Sequence, residues 1–274
     1  MKRAFILMRD TVDYPREAAL HGLQSLGYSA QFNGVDRTFN NKDLLVTWTP
    51  WKGSLSHRLG EQHKKNGGKW IVMENGYIGG LGKPYYAVGL NGFNGYGDHR
   101  NNGMSSARWE SFGLPILPWV TGGDHLVVFA QMGGHDHRFT MPPNWPDDII
   151  QRLRKITDKR ILYRPKEMRP RYLTMKYENV STPSFASLPI SHCFLNAAAV
   201  IVYNSKLAVE AIRLGVPALY DGPVSILSSI LQRGIEGVNN PTLPNREQFF
   251  YDVAYSQWNS VELSSGEPFQ RLLS

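Results

Sequence analysis

The sequence predicts an α/β protein built from two Rossmann-like domains facing a cleft. Three observations predict it: short apolar runs without polar alternation, helix-like spacers between them, and a second such series beginning near residue 125. Unalternated apolar strands belong to mostly parallel sheets covered on both faces.

Taken in order, Ala4–Met8 reads as the first strand, and Tyr14–Leu26 as a helix with Pro15 in its first turn and Gly27 closing it. Tyr28–Phe32 and Asp43–Trp48 read as strands, Ser54–Asn66 as a helix ended by Gly67-Gly68, and Lys69–Met73 as a fourth strand. Asn75–Gly103 is crowded with Gly, Asn and Tyr and reads as a long functional loop. The second series has strands at His125–Ala130, Arg160–Tyr163, Ala199–Tyr203 and Val216–Tyr220. Its helices fall at Pro146–Ile156 and Ser205–Leu214, with a basic loop at Arg164–Arg171 and a mainly helical remainder. The seam falls between Trp119 and His125. Residues 1–122 and 123–274 are therefore expected to form one domain each, with the last helices packing back on the first.

Composition narrows the function. The 274 residues carry 30 Lys+Arg against 23 Asp+Glu, a net charge of +7, and 42% are hydrophobic, which excludes a disordered chain. No run of about 18 apolar residues occurs, so no membrane span is expected. The first apolar stretch is too short for a secretory signal. A single cysteine, Cys193, excludes an internal disulfide framework and a Cys-cluster zinc site, and points to a reducing, cytoplasmic setting. Residues 1–122 hold 14 basic and 9 acidic side chains, and Arg152–Lys176 holds ten basic residues against Asp158 and Glu167. Such an excess fits an anionic partner, a nucleotide or a polyanion, and equally a solvated surface.

In α/β proteins ligands gather at the carboxyl ends of strands. Val200-Ile201-Val202-Tyr203-Asn204-Ser205-Lys206 runs from a buried strand into a helix. Ser205 stands where an N-cap belongs, Lys206 adds charge for phosphate, and Glu210 is placed to accept bonds from ribose hydroxyls. An ordinary cap with a solvated Glu explains Ser205 alone as well. Glu74, directly after Trp70–Met73, is a candidate general base, with Asp98 in reserve and Asp10 as a third choice. Glu74 capping the glycine-rich loop is an equal alternative. His135-Asp136-His137 lacks further ligands for a metal, so no metal is expected. Cys193 reads as a buried structural thiol.

A strand, a small polar pair, a helix with Glu-Ala and then Gly-x-Pro resembles the donor site of glycosyltransferases with the GT-B fold, above all the capsular-polysaccharide and sialyltransferase-like branch. His125–Gln131 followed by Gly133, Gly134 and Asp136 is similar to the first strand of that family's C-terminal domain. Ile161-Leu162-Tyr163-Arg164-Pro165-Lys166 resembles the strand whose Arg and His contact donor phosphates, with Lys166 standing where the family has His. The resemblance covers roughly residues 123–225. It implies that Gln131, Gly133, Gly134, Asp136, Arg164, Lys166, Asn204, Ser205, Lys206 and Glu210 bind a nucleotide sugar, a UDP-sugar first, as co-substrate and with no permanently bound cofactor.

The acceptor side rests on composition. Trp48, Trp51 and Lys52 follow the third strand, and Tyr77, Tyr96 and Arg100 lie in the glycine-rich segment. Aromatic platforms beside cations suit a sugar face or an unstacked base. In size and charge the chain looks similar to bacteriophage enzymes that glycosylate hydroxymethylated bases in duplex DNA. The expectation is thus a metal-independent, inverting glycosyltransferase acting on such DNA. The alternatives are a surface-saccharide acceptor and a non-catalytic nucleotide- or nucleic-acid-binding protein of the same fold.

Overall fold

The computed structural model describes residues 2–11, 15–32, 34–50, 53–131, 141–167, 170–184 and 188–274. In chain order the first elements are β1 (Lys2–Leu7), α1 (Arg16–Ser25), β2 (Tyr28–Phe32), β3 (Leu44–Trp48), α2 (Leu55–Lys65), β4 (Lys69–Asn75), β5 (Tyr86–Leu90) and α3 (Ala107–Ser111). Then come β6 (His125–Phe129), α4 (Trp145–Arg154), β7 (Arg160–Arg164), β8 (Val180–Ser181), α5 (Ile190–Cys193), β9 (Ala197–Val202), α6 (Leu207–Arg213) and β10 (Ala218–Tyr220). The chain closes with α7 (Glu247–Ala254), β11 (Gln257–Trp258), α8 (Ser260–Ser265) and α9 (Glu267–Leu273).

These elements form two compact units, residues 1–113 with 248–274, and residues 114–247. The division differs from a cut near residue 122 for two local reasons. Residues 114–120 are bonded to the end of α6: Leu117 N–H donates to Arg213 O at 2.9 Å, and Val120 N–H to Gly215 O at 2.7 Å. The last helices pack on α1, where a Cβ on Gly22 would stand 1.9 Å from Leu263 O. Arg108 clamps the same region, donating to both Glu262 oxygens at 2.8 and 2.9 Å with its guanidinium over the Trp258 ring.

In the first unit the strand order is β11-β5-β4-β3-β1-β2. β2, β1, β3 and β4 are parallel, while β5 is antiparallel to β4, and β11 to β5. The expected loop over 75–103 therefore contains a wholly buried strand. Gly89 is required within it, since a Cβ there would lie 2.5 Å from Gly92 O. One face buries Ala4, Ile6, Val46, Ile71 and Met73 against Leu23, Leu263 and Phe269; the other buries Phe5, Leu45, Trp70 and Val72.

The second unit has the order β10-β9-β6-β7-β8, all parallel. Leu126, Val128, Ile161, Tyr163, Ala199 and Ile201 pack on Trp145, Ile149, Ile150 and Leu153 of α4. The helix buries this stripe because its apolar residues recur at helical spacing.

Candidate functional site

Register builds the site of the second unit. Phe129 is level with Arg164 on one side and Val202 on the other, and Val202 is level with Tyr220. The next residues along each strand therefore share one carboxyl edge: Ala130-Gln131, Pro165-Lys166, Tyr203-Asn204-Ser205-Lys206 and Asp221-Gly222. From β6 the chain proceeds to β7 on one side and later returns to β9 on the other, so the β6/β9 crevice is the topological switch point. Gln131, Lys166, Asn204, Ser205 and Lys206 are gathered along this edge. Gly133, Gly134 and Asp136, with His135 and His137, lie outside the described residues.

Each side chain at the edge has a distinct environment. Asn204 is buried and Lys166 and Lys206 are exposed. Ser205 Oγ accepts from Leu207 N–H at 3.3 Å, but the cap position belongs to Lys206 and α6 is only seven residues long. Phosphate recognition here would therefore fall to cations and polar side chains more than to a helix dipole. Gln131 is half-buried, and its Oε1 has no partner among the described residues. Gly222, which the sequence reading missed, donates to Tyr203 O at 2.7 Å; a Cβ there would come within 2.5 Å of the same oxygen. Asp221, also missed, accepts from Trp145 Nε1 at 2.7 Å and Arg152 at 2.9 Å. An Asp-Gly pair directly after a strand was the available signal for both.

Two expected donor ligands, Arg164 and Glu210, have structural engagements. Arg164 is 3% exposed, and its guanidinium donates to the Leu188 carbonyl, so it faces into the fold. Glu210 accepts two hydrogen bonds from Arg213, at 2.6 and 3.0 Å, one on each carboxylate oxygen. Cys193 is buried with Sγ 3.6 Å from Pro189 O. Burial pushes its thiol up, only partly opposed by Arg164, and this lowers its thiolate fraction.

In the first unit, Glu74 is half-buried near the end of β4, level with Ala87. Its Oε1 accepts from the Asn75 backbone N–H at 2.8 Å and Nδ2 at 2.9 Å. Asp98 is exposed; its backbone pairs with Leu90, and its Oδ1 accepts from Arg100 N–H at 2.9 Å, the bonding of a turn-forming Asp. Arg100 lies 3.9 Å from Asp98 and also donates to the Ser274 carbonyl. Tyr96 is half-buried in a short 3₁₀ turn, Asn94–Tyr96. Tyr77 and Trp48 differ in burial. Tyr77 is 6% exposed with its hydroxyl bonded inside the unit, and Trp48 packs edge-on against Tyr86 at 6.1 Å beside the main core. Trp51 and Lys52 lie outside the described residues.

Among the described residues, no group of three or more His, Cys, Asp or Glu side chains is placed to hold a metal ion. No helix among them is long and apolar enough to cross a membrane.

The fold places the chain in a class of known architecture. Over 92% of its length it superposes on 91% of the Thermosulfurimonas dismutans KpsC β-Kdo 2,4 transferase, with a TM-score of 0.61 at 11% identity. The β-Kdo 2,7 transferase of the same organism's KpsC aligns over 99% of this chain and all of its own, with a TM-score of 0.52 at 12% identity. By sequence, the chain matches no protein-family description and no curated protein. The shared architecture, two mainly parallel α/β sheets, is consistent with the GT-B-like fold expected from the motifs.

Proposed function

We propose that this protein is a glycosyltransferase that moves a sugar from a nucleotide sugar to a saccharide acceptor. The observation that carries the reading is a fold shared, over nearly the whole of both chains, with a β-Kdo 2,4 transferase. The carboxyl edge of the second unit supports it, because Lys166, Lys206, Ser205, Asn204 and Gln131 together suit a phosphorylated, hydroxyl-rich donor. In this reading the two lysines offset the charge that develops on the departing nucleotide phosphate. Glu74, with Asp98 in reserve, accepts the proton of the attacking hydroxyl, which gives inversion at the anomeric carbon by direct displacement.

A saccharide acceptor takes precedence over hydroxymethylated DNA. The similar structures are named for sugar transfer, and Tyr77, one of the aromatics proposed as base platforms, is buried in the first unit. The test is a transfer assay offering UDP- and CMP-sugars with acidic and neutral oligosaccharides, and with hydroxymethylated duplex DNA, read by mass spectrometry. Addition of one sugar residue to an oligosaccharide is the expected result. Transfer to DNA alone would restore the nucleic-acid reading. Saturable donor binding without transfer to any acceptor would favour a binding protein of this fold.

A further inference from the structure

A cavity of about 170 Å³ opens at the amino edge of the first unit's parallel strands. Asn40 and Asn41 stand before β3, and Gln62 and Asn66 on the last turn of α2, before β4. These four carboxamides line it, together with Phe39, Leu59 and the His63 ring on its less polar side. Gln62 and Asn66 are four residues apart, so they address one side of the helix. Asn41 Nδ2 donates to the Asn66 carbonyl at 2.9 Å, which ties the two segments together. The loop before β3 is fixed from β1. Arg3 donates to the two Asp43 oxygens at 2.9 and 2.6 Å, to Thr38 Oγ1 at 2.6 Å and to Asp36 at 3.2 Å. Asp43 also accepts from the Asn40 backbone N–H at 2.8 Å. Phe39 stacks on His63 with ring centroids 4.7 Å apart, and the His63 ring fills the space beside Gly68, where a Cβ would stand 2.4 Å from it. The lining is thus held in place before any ligand arrives, which cuts the ordering cost of binding.

Its chemistry is neutral. Among the described residues no Lys, Arg, Asp or Glu lines the cavity, and burial pushes the His63 pKa down. A phosphate or carboxylate would find no counter-charge there. A carboxamide presents a donor and an acceptor side by side, and so pairs with hydroxyls, which are both at once. No hydrogen bond from the described residues engages the side chain of Gln62 or Asn66. The volume is below the roughly 300–1,000 Å³ of pockets for drug-sized ligands, which leaves room for a single ring.

We propose that this cavity is a binding subsite for one neutral pyranose ring of a glycan. It stands apart from the residue proposed as general base: Glu74 lies five residues beyond Lys69 at the start of β4, about 16 Å along the strand. The ring held here is therefore not the one that receives a sugar. The inference goes beyond transfer, and its test needs no donor.

The test is a nitrogen–proton NMR titration of the full chain with the methyl glycosides of glucose, galactose, mannose and N-acetylglucosamine, and with methyl glucuronide. Saturable shifts of the Asn40, Asn41, Gln62 and Asn66 side-chain amides are expected with at least one neutral glycoside, at a Kd of about 1–10 mM for a single ring. Gln62 and Asn41 are exposed, so Gln62→Leu and Asn41→Ala leave the core untouched. Each should weaken binding about fivefold through lost hydrogen bonds. No saturable shift at these amides with any neutral glycoside overturns the subsite. Equal affinity in the wild type and both variants overturns the assignment to these residues. Binding of methyl glucuronide alone overturns the neutral ring. Failure of sugar transfer in the assay above leaves this result standing, and a failed titration leaves the transfer reading standing.

Discussion

The carboxylate of Glu210 receives two hydrogen bonds from the guanidinium of Arg213, three residues further along α6, at 2.6 and 3.0 Å. Arg213 in turn donates to the Pro115 carbonyl at 3.1 Å, so the pair fastens the segment entering the second unit to its sheet-covering helix. Glu210→Ala is expected to lower unfolding free energy by about 2 kcal/mol, because a largely buried guanidinium loses its charged acceptor. Donor affinity should stay within twofold of wild type. A large loss of donor affinity with unchanged denaturant midpoint would return Glu210 to the ribose.

Stability should depend on pH through two buried histidines. His99 donates from Nδ1 to Val88 O at 2.8 Å, which leaves Nε2 to accept the Tyr77 hydroxyl at 3.3 Å. His63 is buried against Phe39, ring stacked on ring. Burial lowers both pKa values from the ordinary 6.5, partly opposed by hydrogen bonds to backbone carbonyls. The unfolded chain therefore binds these protons first as pH falls. Their contribution is complete above 6.5 and is lost as pH drops from there through the lowered folded values. Urea midpoints measured between pH 8 and 5 should be flat at the top and fall below about 6.5, with a shallower fall in His99→Gln.

Glu74 is the residue on which transfer chemistry is expected to depend. Glu74→Gln preserves the bonds from Asn75 to Oε1 and removes only basicity. Turnover should fall about 100-fold or more with donor binding intact, the size expected for a general base. Asp98→Asn, at a turn whose bond to Arg100 N–H an amide oxygen can also accept, should cost much less. Equal losses in the two variants would contradict the assignment of roles.

Gly22 tests how the last helices belong to the first unit. A methyl group there meets Leu263 O at 1.9 Å and the Phe269 ring at 3.0 Å, so α8 must move away from α1. Gly22→Ala should destabilise by about 2–3 kcal/mol despite alanine's better helix propensity. A stabilised variant would show that this helix pair is not closely packed.

Which features could be read from the sequence follows from how local their causes are. The central parallel strands were legible because burial on both faces makes them unbroken apolar runs, as in Val127-Val128-Phe129 and Val200-Ile201-Val202, whereas the two-residue edge strand β8 was not. β5 was not, because its Gly89 and glycine-rich surroundings look like loop punctuation, while the glycine in fact lets the next turn close over the strand. The carboxyl edge follows from strand ends, so Gln131, Lys166 and Asn204–Lys206 could be named in advance. Engagements over longer separations could not be named: Arg164 with Leu188, and Asp147 with Thr174 and Tyr177, depend on how the crossover returns. The Glu210–Arg213 pair had a local signal, residues three apart sharing a helix face, that the sequence analysis did not use.

The most direct measurement is a calorimetric titration of the whole chain with UDP- and CMP-sugars, repeated on Lys206→Ala and Lys166→Ala. Saturable binding of one nucleotide class is expected, weakened about tenfold in Lys206→Ala through loss of a charged contact to phosphate. Binding of equal strength in the wild type and both variants would contradict a donor site at the carboxyl edge of the second unit.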